Sequence, residues 1–225
     1  MGIVNTYYLL KKYVDNALST PFWIENRNQN DDAELQINAD RTDAHNFKYS
    51  TDGTTWTATK PDIPAGGKVY IKANATTWSV NGEDIWNAKI GASQQFNVGG
   101  NILSLFYGDY FTGAETTFPD PAKECILCGM FTRTGVIDAS ELMIPVQYMP
   151  VYCCRSMFLE CEQLQKGLAS LPATQLGHHC YQGMYENCHA MTVANSVLPA
   201  LHVPQNAYDG MFVHDENFAT APEIM

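Results

Sequence analysis

The sequence is poor in basic side chains and lacks the motifs that mark catalytic sites. Lys and Arg together number 13 against 24 Asp and Glu, which gives a formal net charge of −11, and neither basic residue occurs after Lys166. Nucleic-acid binding rests on clustered basic side chains, so this balance argues against it. No glycine-rich phosphate loop, nucleophile elbow or His-Glu-x-x-His pair is present. We therefore expect neither an enzyme nor a bound cofactor.

Long apolar runs are also missing. No stretch approaches the roughly 18 consecutive apolar residues of a membrane-spanning helix, so membrane insertion is not expected. At the N-terminus Lys11 and Lys12 follow a short apolar stretch, which is the reverse of the order in a secretion signal. If Met1 is the native start, we expect a protein that is not exported by such a signal.

The sequence does contain a repeat with a period of 27 residues. Each copy has a Met preceded by a small residue and followed by an aromatic one, at Gly129-Met130-Phe131, Ser156-Met157-Phe158, Gly183-Met184-Tyr185 and Gly210-Met211-Phe212. A proline follows the first three of these Met residues at a distance of 15, as Pro145, Pro172 and Pro199. A fixed period of this length predicts a repeat array, which we place at residues 119–225 and expect to continue beyond Met225.

The central copies space their apolar residues four apart, which predicts about two helical turns per copy with one buried face. The predicted core of the array consists of the residues on that face and their equivalents, Met130, Cys153, Met157, Cys161, Cys180, Met184, Cys188 and Met211. The proline-punctuated stretch that follows each face predicts a short strand. One helical segment and one strand per copy are typical of a solenoid, in which stacking of the copies supplies the core.

All seven cysteines lie in this array, and four of them occupy the core positions just named. Cys125 and Cys128 have the spacing of a zinc or redox pair, but a zinc site normally combines two such half-motifs. The repeat accounts for four cysteines without a metal, so buried, reduced thiols are our preferred interpretation and no metal site is expected. A disulfide between adjacent copies stays open as an alternative.

Residues 21–118 have the pattern of strands. Short β-branched and aromatic runs, separated by turn signals such as Asp52-Gly53, occur at residues 22–25, 33–37, 46–49, 68–72, 94–98 and 102–106. Six or more short strands over about 100 residues predict an antiparallel β-sandwich. The expected fold class is therefore mainly β with short helices: an N-terminal helix, an antiparallel β-sandwich and a solenoid of 27-residue repeats.

Residues 1–20 predict the N-terminal helix. Its apolar residues follow the spacing of a coiled-coil seam, at Ile3, Tyr7, Leu10, Val14 and Ala17. Two heptads are too few to hold an oligomer by themselves, so the helix has two interpretations. It packs on its own β-domain, or it serves as an anchor or trimerisation element.

Trp78 and Trp86 lie in the polar stretch between residues 75 and 89 and are candidates for stacking against a ligand such as a sugar. The alternative is partial burial of both side chains under a long loop. Neither interpretation is favoured by the sequence.

The repeat also carries a family resemblance. The segment Cys180–Met191, with the pattern C-Y-x-G-M-(F/Y)-x-x-C-x-x-(L/M), and the L-P-A-x-x-L segment Leu171–Leu176 resemble the BspA-like leucine-rich repeats of surface proteins from gut Bacteroidales and their crAss-like phages. Upstream, residues 49–56, 67–72 and 96–109 resemble the β-rich module that precedes such repeats. The resemblance covers residues 21–225 and implies a leucine-rich-repeat-like solenoid.

The same resemblance implies surface recognition and no single chemistry. It favours a phage virion protein, a head fibre or another capsid or tail appendage on the outer surface of the particle, over the alternative of a bacterial cell-surface adhesin. Fibres of tailed phages are commonly trimeric, so the resemblance implies a homotrimer in contact with other virion structural proteins. A host-surface glycan or protein is the implied ligand.

Overall fold

The computed structural model describes residues 17–80, 84–192, 197–217 and 223–224. Four of the five predicted seam residues, Ile3, Tyr7, Leu10 and Val14, lie outside these ranges. The fifth, Ala17, is half-buried and lies in a helical stretch that is described at residues 17–19. The fold is mainly β with short helices, which confirms the predicted fold class at this level.

The described strands are short. They are β1 (Trp23–Asn26), β2 (Leu35–Ile37), β3 (His45–Ser50), β4 (Lys68–Asn74), β5 (Ile90–Ala92), β6 (Phe96–Asn101), β7 (Val136–Met143), β8 (Tyr148–Met149), β9 (Gln175–Leu176), β10 (Val197–Leu198) and β11 (Glu223–Ile224). One α-helical turn, α1 (Ser104–Tyr107), and 3-10 turns at Ala39–Arg41 and Gly108–Tyr110 complete the assigned elements. No helix in the described ranges is long and apolar enough to cross a bilayer.

The largest sheet has the strand order β3-β4-β1-β6-β7. Neighbours among β3, β4, β1 and β6 are antiparallel, and alternate residues of β4 are buried, as a strand with one core-facing side requires. Strand β7 differs, because it comes from the repeat array and pairs in parallel with β6. Strands β2 and β5 form a separate antiparallel pair. The array and the β-rich segment therefore share one sheet.

The strand predicted at residues 102–106 is wrong, because residues 102 and 103 form a turn that leads into α1 and residues 104–106 belong to α1. All five are buried, so the alternation expected of a half-exposed strand is missing. The Ser104 hydroxyl donates to the Ile71 carbonyl at 2.9 Å and accepts the Phe22 amide at 2.9 Å, which ties α1 to β4. Gly108 ends the turn at φ +53°, where a Cβ would lie 2.2 Å from Asn74 Oδ1.

The helical turns predicted for each repeat are also wrong. Each copy forms a coil of successive four-residue turns, and every fourth residue has a positive φ, at residues 125, 129 and 133, 152, 156 and 160, 179, 183 and 187, and 206, 210 and 214. An α-helix would keep φ negative and bond each amide to the carbonyl four residues earlier. The spacing of four and the buried face were thus predicted, but the backbone that produces them is different.

Amides in these coils alternate between two roles. The Arg155 amide closes a turn by donating to the Tyr152 carbonyl at 3.1 Å, whereas the next amide, of Ser156, donates to the Gln182 carbonyl of the following copy at 2.8 Å. The same alternation holds within the coils at residues 125–134, 152–161 and 179–188, where each bond to the following copy joins an amide to the carbonyl 26 residues ahead. Consecutive copies are therefore stacked in one register by their backbones.

The structure buries all eight predicted core residues of the array. Beside them, the aromatic residues that follow each Met stack face to face, with centroid separations of 5.1 Å for Phe131–Phe158, 5.5 Å for Phe158–Tyr185 and 5.5 Å for Tyr185–Phe212. We call Phe131, Phe158, Tyr185 and Phe212 the aromatic stack. One hydrophobic core continues from this stack into the β-rich segment, where the ring centroids of Phe22 and Phe131 lie 6.3 Å apart.

The first copy of the array is completed by the segment before it. The Trp78 amide donates to the Ile126 carbonyl at 2.7 Å and the Lys89 amide to the Met130 carbonyl at 3.0 Å. These carbonyls point away from the second copy. Residues 77–80 and 84–90 therefore cap the array, with amides in the place where a preceding copy would supply them.

Candidate recognition surface

Trp78 is wrong as a ligand-stacking residue. Its side chain is 0% exposed and packs edge-on against Phe47, with ring centroids 6.0 Å apart. The reason is its position in the cap, since the backbone bond from Trp78 to Ile126 holds the residue under the first copy of the array. The indole is part of the core and offers no face to a ligand.

Trp86 is different, because half of its surface, 50%, is exposed. The Arg133 guanidinium lies 5.0 Å from the centre of the indole ring. Arg133 is itself held by the Glu160 carboxylate of the next copy, with Nε–Oε2 at 2.7 Å and Nη2–Oε1 at 3.2 Å. A bidentate pair of this kind fixes the orientation of the guanidinium. Trp86 is therefore a braced aromatic platform at the junction between the cap and the array.

A polar cleft of about 350 Å³ is lined by residues that lie close to Trp86 and Arg133 in the sequence. Its wall includes Thr134, which follows Arg133 in the chain, and Ala88, which follows Trp86 by two residues. The polar side chains around the cleft are Glu34, Gln36, Asn38, Lys60 and Thr134. Its floor comes from β5, which pairs with β2 between Ile37 and Ile90. We call this cleft and Trp86 together the junction site.

Glu34, Gln36 and Asn38 were missed as site residues by the sequence analysis. They alternate with the buried Ala33 and Leu35 along β2, so all three side chains are exposed on one face. The signal was present as a period of two in polar residues. What the sequence did not reveal is that β5 and Thr134 of the array close the opposite side of this face.

The cations around the junction site already have partners. Lys89 is buried, donates to the carbonyls of Asp84 at 2.7 Å and Asn87 at 2.6 Å, and burial lowers its pKa. Arg41 pairs with the Asp84 carboxylate. Burial alone would raise the pKa of Asp84, but the Asn87 amide and the two cations lower it below the ordinary value. Lys89 and Arg41 are therefore both engaged by groups of the protein itself.

A second polar row runs along the outer face of the array. Tyr152 and His179 stack with ring centroids 4.7 Å apart, and Asn206 lies 3.0 Å from the Nε2 atom of His179. These three residues occupy equivalent positions, 27 residues apart, in consecutive copies. The Arg155 guanidinium lies 5.5 Å from the Tyr152 ring. In-register stacking thus converts the sequence period into a continuous row of side chains.

An apolar cleft of about 700 Å³ lies on another side of the molecule, along the C-terminal half of β7. Ala17, the only described member of the predicted seam, lines it together with Leu142, Ile144 and Pro172. The end of the predicted N-terminal helix therefore lines the same cleft as residues of the shared sheet and of the array.

The seven cysteines are all buried thiols. Cys161 and Cys188 donate their thiol protons to the carbonyls of Phe131 at 2.9 Å and Phe158 at 3.1 Å. Burial raises the pKa of the Cys161 thiol to about 12. Among the described residues, no group of three or more His, Cys, Asp or Glu side chains is arranged to hold a metal ion.

Comparisons of the chain with protein-family models, with curated proteins and with solved structures find no match.

Proposed function

We propose that this protein is a non-enzymatic structural and recognition protein of a phage virion, a head fibre or another capsid or tail appendage. In this proposal residues 21–118 form a β-sandwich, and residues 119–225 form a leucine-rich-repeat-like solenoid that is displayed for binding to a host surface or glycan. The observation that carries the recognition role is the junction site. The resemblance of the repeats to the BspA-like family supports the virion role.

The junction site has the chemistry that sugars require. A sugar ring presents an apolar C–H face to an aromatic ring and hydroxyl groups to polar side chains. Trp86 supplies a half-exposed indole held in place by Arg133, and the cleft carries carboxylate, amide, ammonium and hydroxyl groups. Because the nearby cations are paired and the net charge is −11, a neutral glycan fits better than a polyanion.

Binding of the purified protein to a glycan array and to whole Bacteroidales cells tests this role. Trp86→Ala should weaken binding about tenfold, which corresponds to about 1.4 kcal/mol. Tyr110→Ala is the matched control, since Tyr110 is 81% exposed and lies outside the junction site, and it should bind as the wild type does. Equal binding by all three proteins would remove the junction site from the proposal. Binding to neither glycans nor cells would remove the recognition role.

The virion role has a separate test. Antibodies against the protein should decorate intact phage particles in electron micrographs, whereas labelling confined to the bacterial envelope would overturn the assignment. For the proposed homotrimer, changing Leu10 and Val14 together to Asp places two charges in each seam and should yield monomers. Light scattering that gives the same mass for this variant and the wild type would mean that the seam serves its own subunit.

A further inference from the structure

Cys125 and Cys128 lie at the two ends of one turn. The Cys128 amide donates to the Cys125 carbonyl at 3.3 Å, which closes a four-residue turn. The end residues of a β-turn have Cα atoms less than about 7 Å apart, and a disulfide spans Cα separations of about 4.4–6.8 Å. The backbone therefore already holds these cysteines at a distance that a disulfide can bridge.

Cys125 is also the most accessible of the seven cysteines. Its side chain is 7% exposed, whereas the other six are fully buried. It follows the exposed residues 119–124, except for the half-buried Asp120, and has a positive φ of 54° at the entrance to the first coil. A reagent from solvent therefore reaches Cys125 before any other thiol.

The electrostatic surroundings of the pair separate its members into an attacking and a resolving thiol. The neighbouring Cys128 side chain and the charge of Arg155 lower the pKa of Cys125, although burial opposes this. Burial raises the pKa of Cys128, whose thiol donates to the Tyr152 carbonyl at 2.8 Å. A thiolate is the nucleophile in thiol–disulfide exchange, so Cys125 is the one that attacks first.

The other cysteines are less exposed than Cys125. Cys161 and Cys188 belong to different copies, and each thiol is engaged with a backbone carbonyl on the copy before it. Burial raises the pKa of both thiols and of Cys153 and Cys180. These side chains therefore serve as core packing.

From this geometry we propose that Cys125 and Cys128 form a specific thiol-modification site, a dithiol that small disulfides such as oxidised glutathione convert to an intra-turn disulfide. The Cys125 thiolate attacks one sulfur of the small disulfide, so that a mixed disulfide forms and one thiolate leaves. Cys128 then gives up its proton, and its sulfur attacks the Cys125 sulfur and expels the second small thiolate. Two protein thiols are oxidised and one small disulfide is reduced to two thiols. The proposal is independent of the glycan and virion roles.

The test uses the full chain, reduced and then incubated with oxidised glutathione. Remaining thiols are alkylated under denaturing conditions and mapped by mass spectrometry. We expect one disulfide, Cys125–Cys128, with the other five of the seven cysteines alkylated. Oxidation first at Cys153, Cys154 or Cys180, or no oxidation of the folded protein, would overturn the proposal.

Two variants make the order of events visible. Cys128→Ser removes the resolving thiol, so Cys125 should accumulate as a mixed disulfide that carries one glutathione. Cys161→Ser is the matched control, because it removes a buried thiol of the second copy and should leave the Cys125–Cys128 disulfide unchanged. Glutathione found on another cysteine of the Cys128→Ser variant would contradict the assigned order. The disulfide assignment in the wild-type protein tests the proposal even if one of the variants fails to fold.

Discussion

Met184 shows what a single residue contributes to the stacked core. Its side chain is fully buried beside the aromatic stack, between copies that contact it from both sides. Met184→Asp would bury a charge without a partner, so we expect the free energy of unfolding to fall by about 3–5 kcal/mol. Met184→Leu conserves volume and should cost less than about 1.5 kcal/mol. Chemical denaturation measures both, and an Asp variant as stable as the Leu variant would place Met184 outside the core.

Asp215 occupies the repeat position held by Cys161 and Cys188 in the two preceding copies. The Cys188 amide donates to Asp215 Oδ1 at 2.7 Å, while the buried Oδ2 atom has no hydrogen-bond partner in the described part of the chain. Burial raises the pKa of Asp215 from 3.8 to about 7, against the opposing effects of the Cys188 amide and His189. The fold therefore favours the protonated carboxyl group.

A raised carboxyl pKa makes stability fall as pH rises. The contribution of the protonated Asp215 is fully present below pH 3.8 and is lost as the pH approaches about 7. Asp215→Asn keeps an acceptor for the Cys188 amide but does not ionise. We expect the variant to melt close to the wild type near pH 4 and at a higher temperature near pH 8. A difference in Tm that stays constant over this range would contradict the assignment, since all other titrating groups are common to both proteins.

At the scale of one element, the members of the aromatic stack should contribute unequally to the free energy of unfolding. Phe158 is fully buried between Phe131 and Tyr185, whereas Phe212 is only half-buried. We expect Phe158→Ala to cost about 3–5 kcal/mol, the usual range for a buried Phe, and Phe212→Ala less than half of that. Urea titrations of the two variants provide the comparison. Equal losses would mean that stacking along the row is not the source of the stability.

The same elements show where sequence patterns are informative. Apolar residues four apart predicted which side chains of each copy are buried, because an α-helix and a coil of four-residue turns both return a side chain to the same face after four residues. They did not predict the backbone. The distinguishing signal was the small residue before each Met, since Gly129, Ser156, Gly183 and Gly210 all have positive φ. Of these, Ser156 alone carries the strain of a side chain in that conformation.

Contacts between distant segments were beyond the reach of local patterns. The parallel pairing of β7 with β6 and the amides that Trp78 and Lys89 supply to the first copy depend on residues about 40 positions apart, a separation at which periodicity carries no information. The junction site depends on the same long-range contacts. Trp86 was predicted as a candidate, but the cleft forms only where β2, β5 and Thr134 meet.

For the whole molecule, we expect protection from hydrogen exchange to decline from the first copy to the last. The first copy is bonded on both sides, by the cap and by the second copy, whereas the last described copy exposes Leu201, Val203 and Val213. Amides of Leu127 and Phe131 should therefore exchange more slowly than those of His179 and Asn187. Mass-spectrometric exchange at the peptide level measures this gradient. Uniform protection from residue 125 to residue 215 would mean that the array opens as one unit.

The constant offset of 26 residues in the bonds between the coils of consecutive copies also bears on how such a chain can change during evolution. A single inserted residue in a coil would exchange the two roles of the amides after it in that coil, so turn-closing groups would point at the neighbouring copy. Duplication or loss of a whole 27-residue block leaves each remaining bond with its proper partner. Recombination that preserves these bonds is thereby restricted to whole repeats, so the array can lengthen or shorten by one repeat at a time while its core packing stays the same.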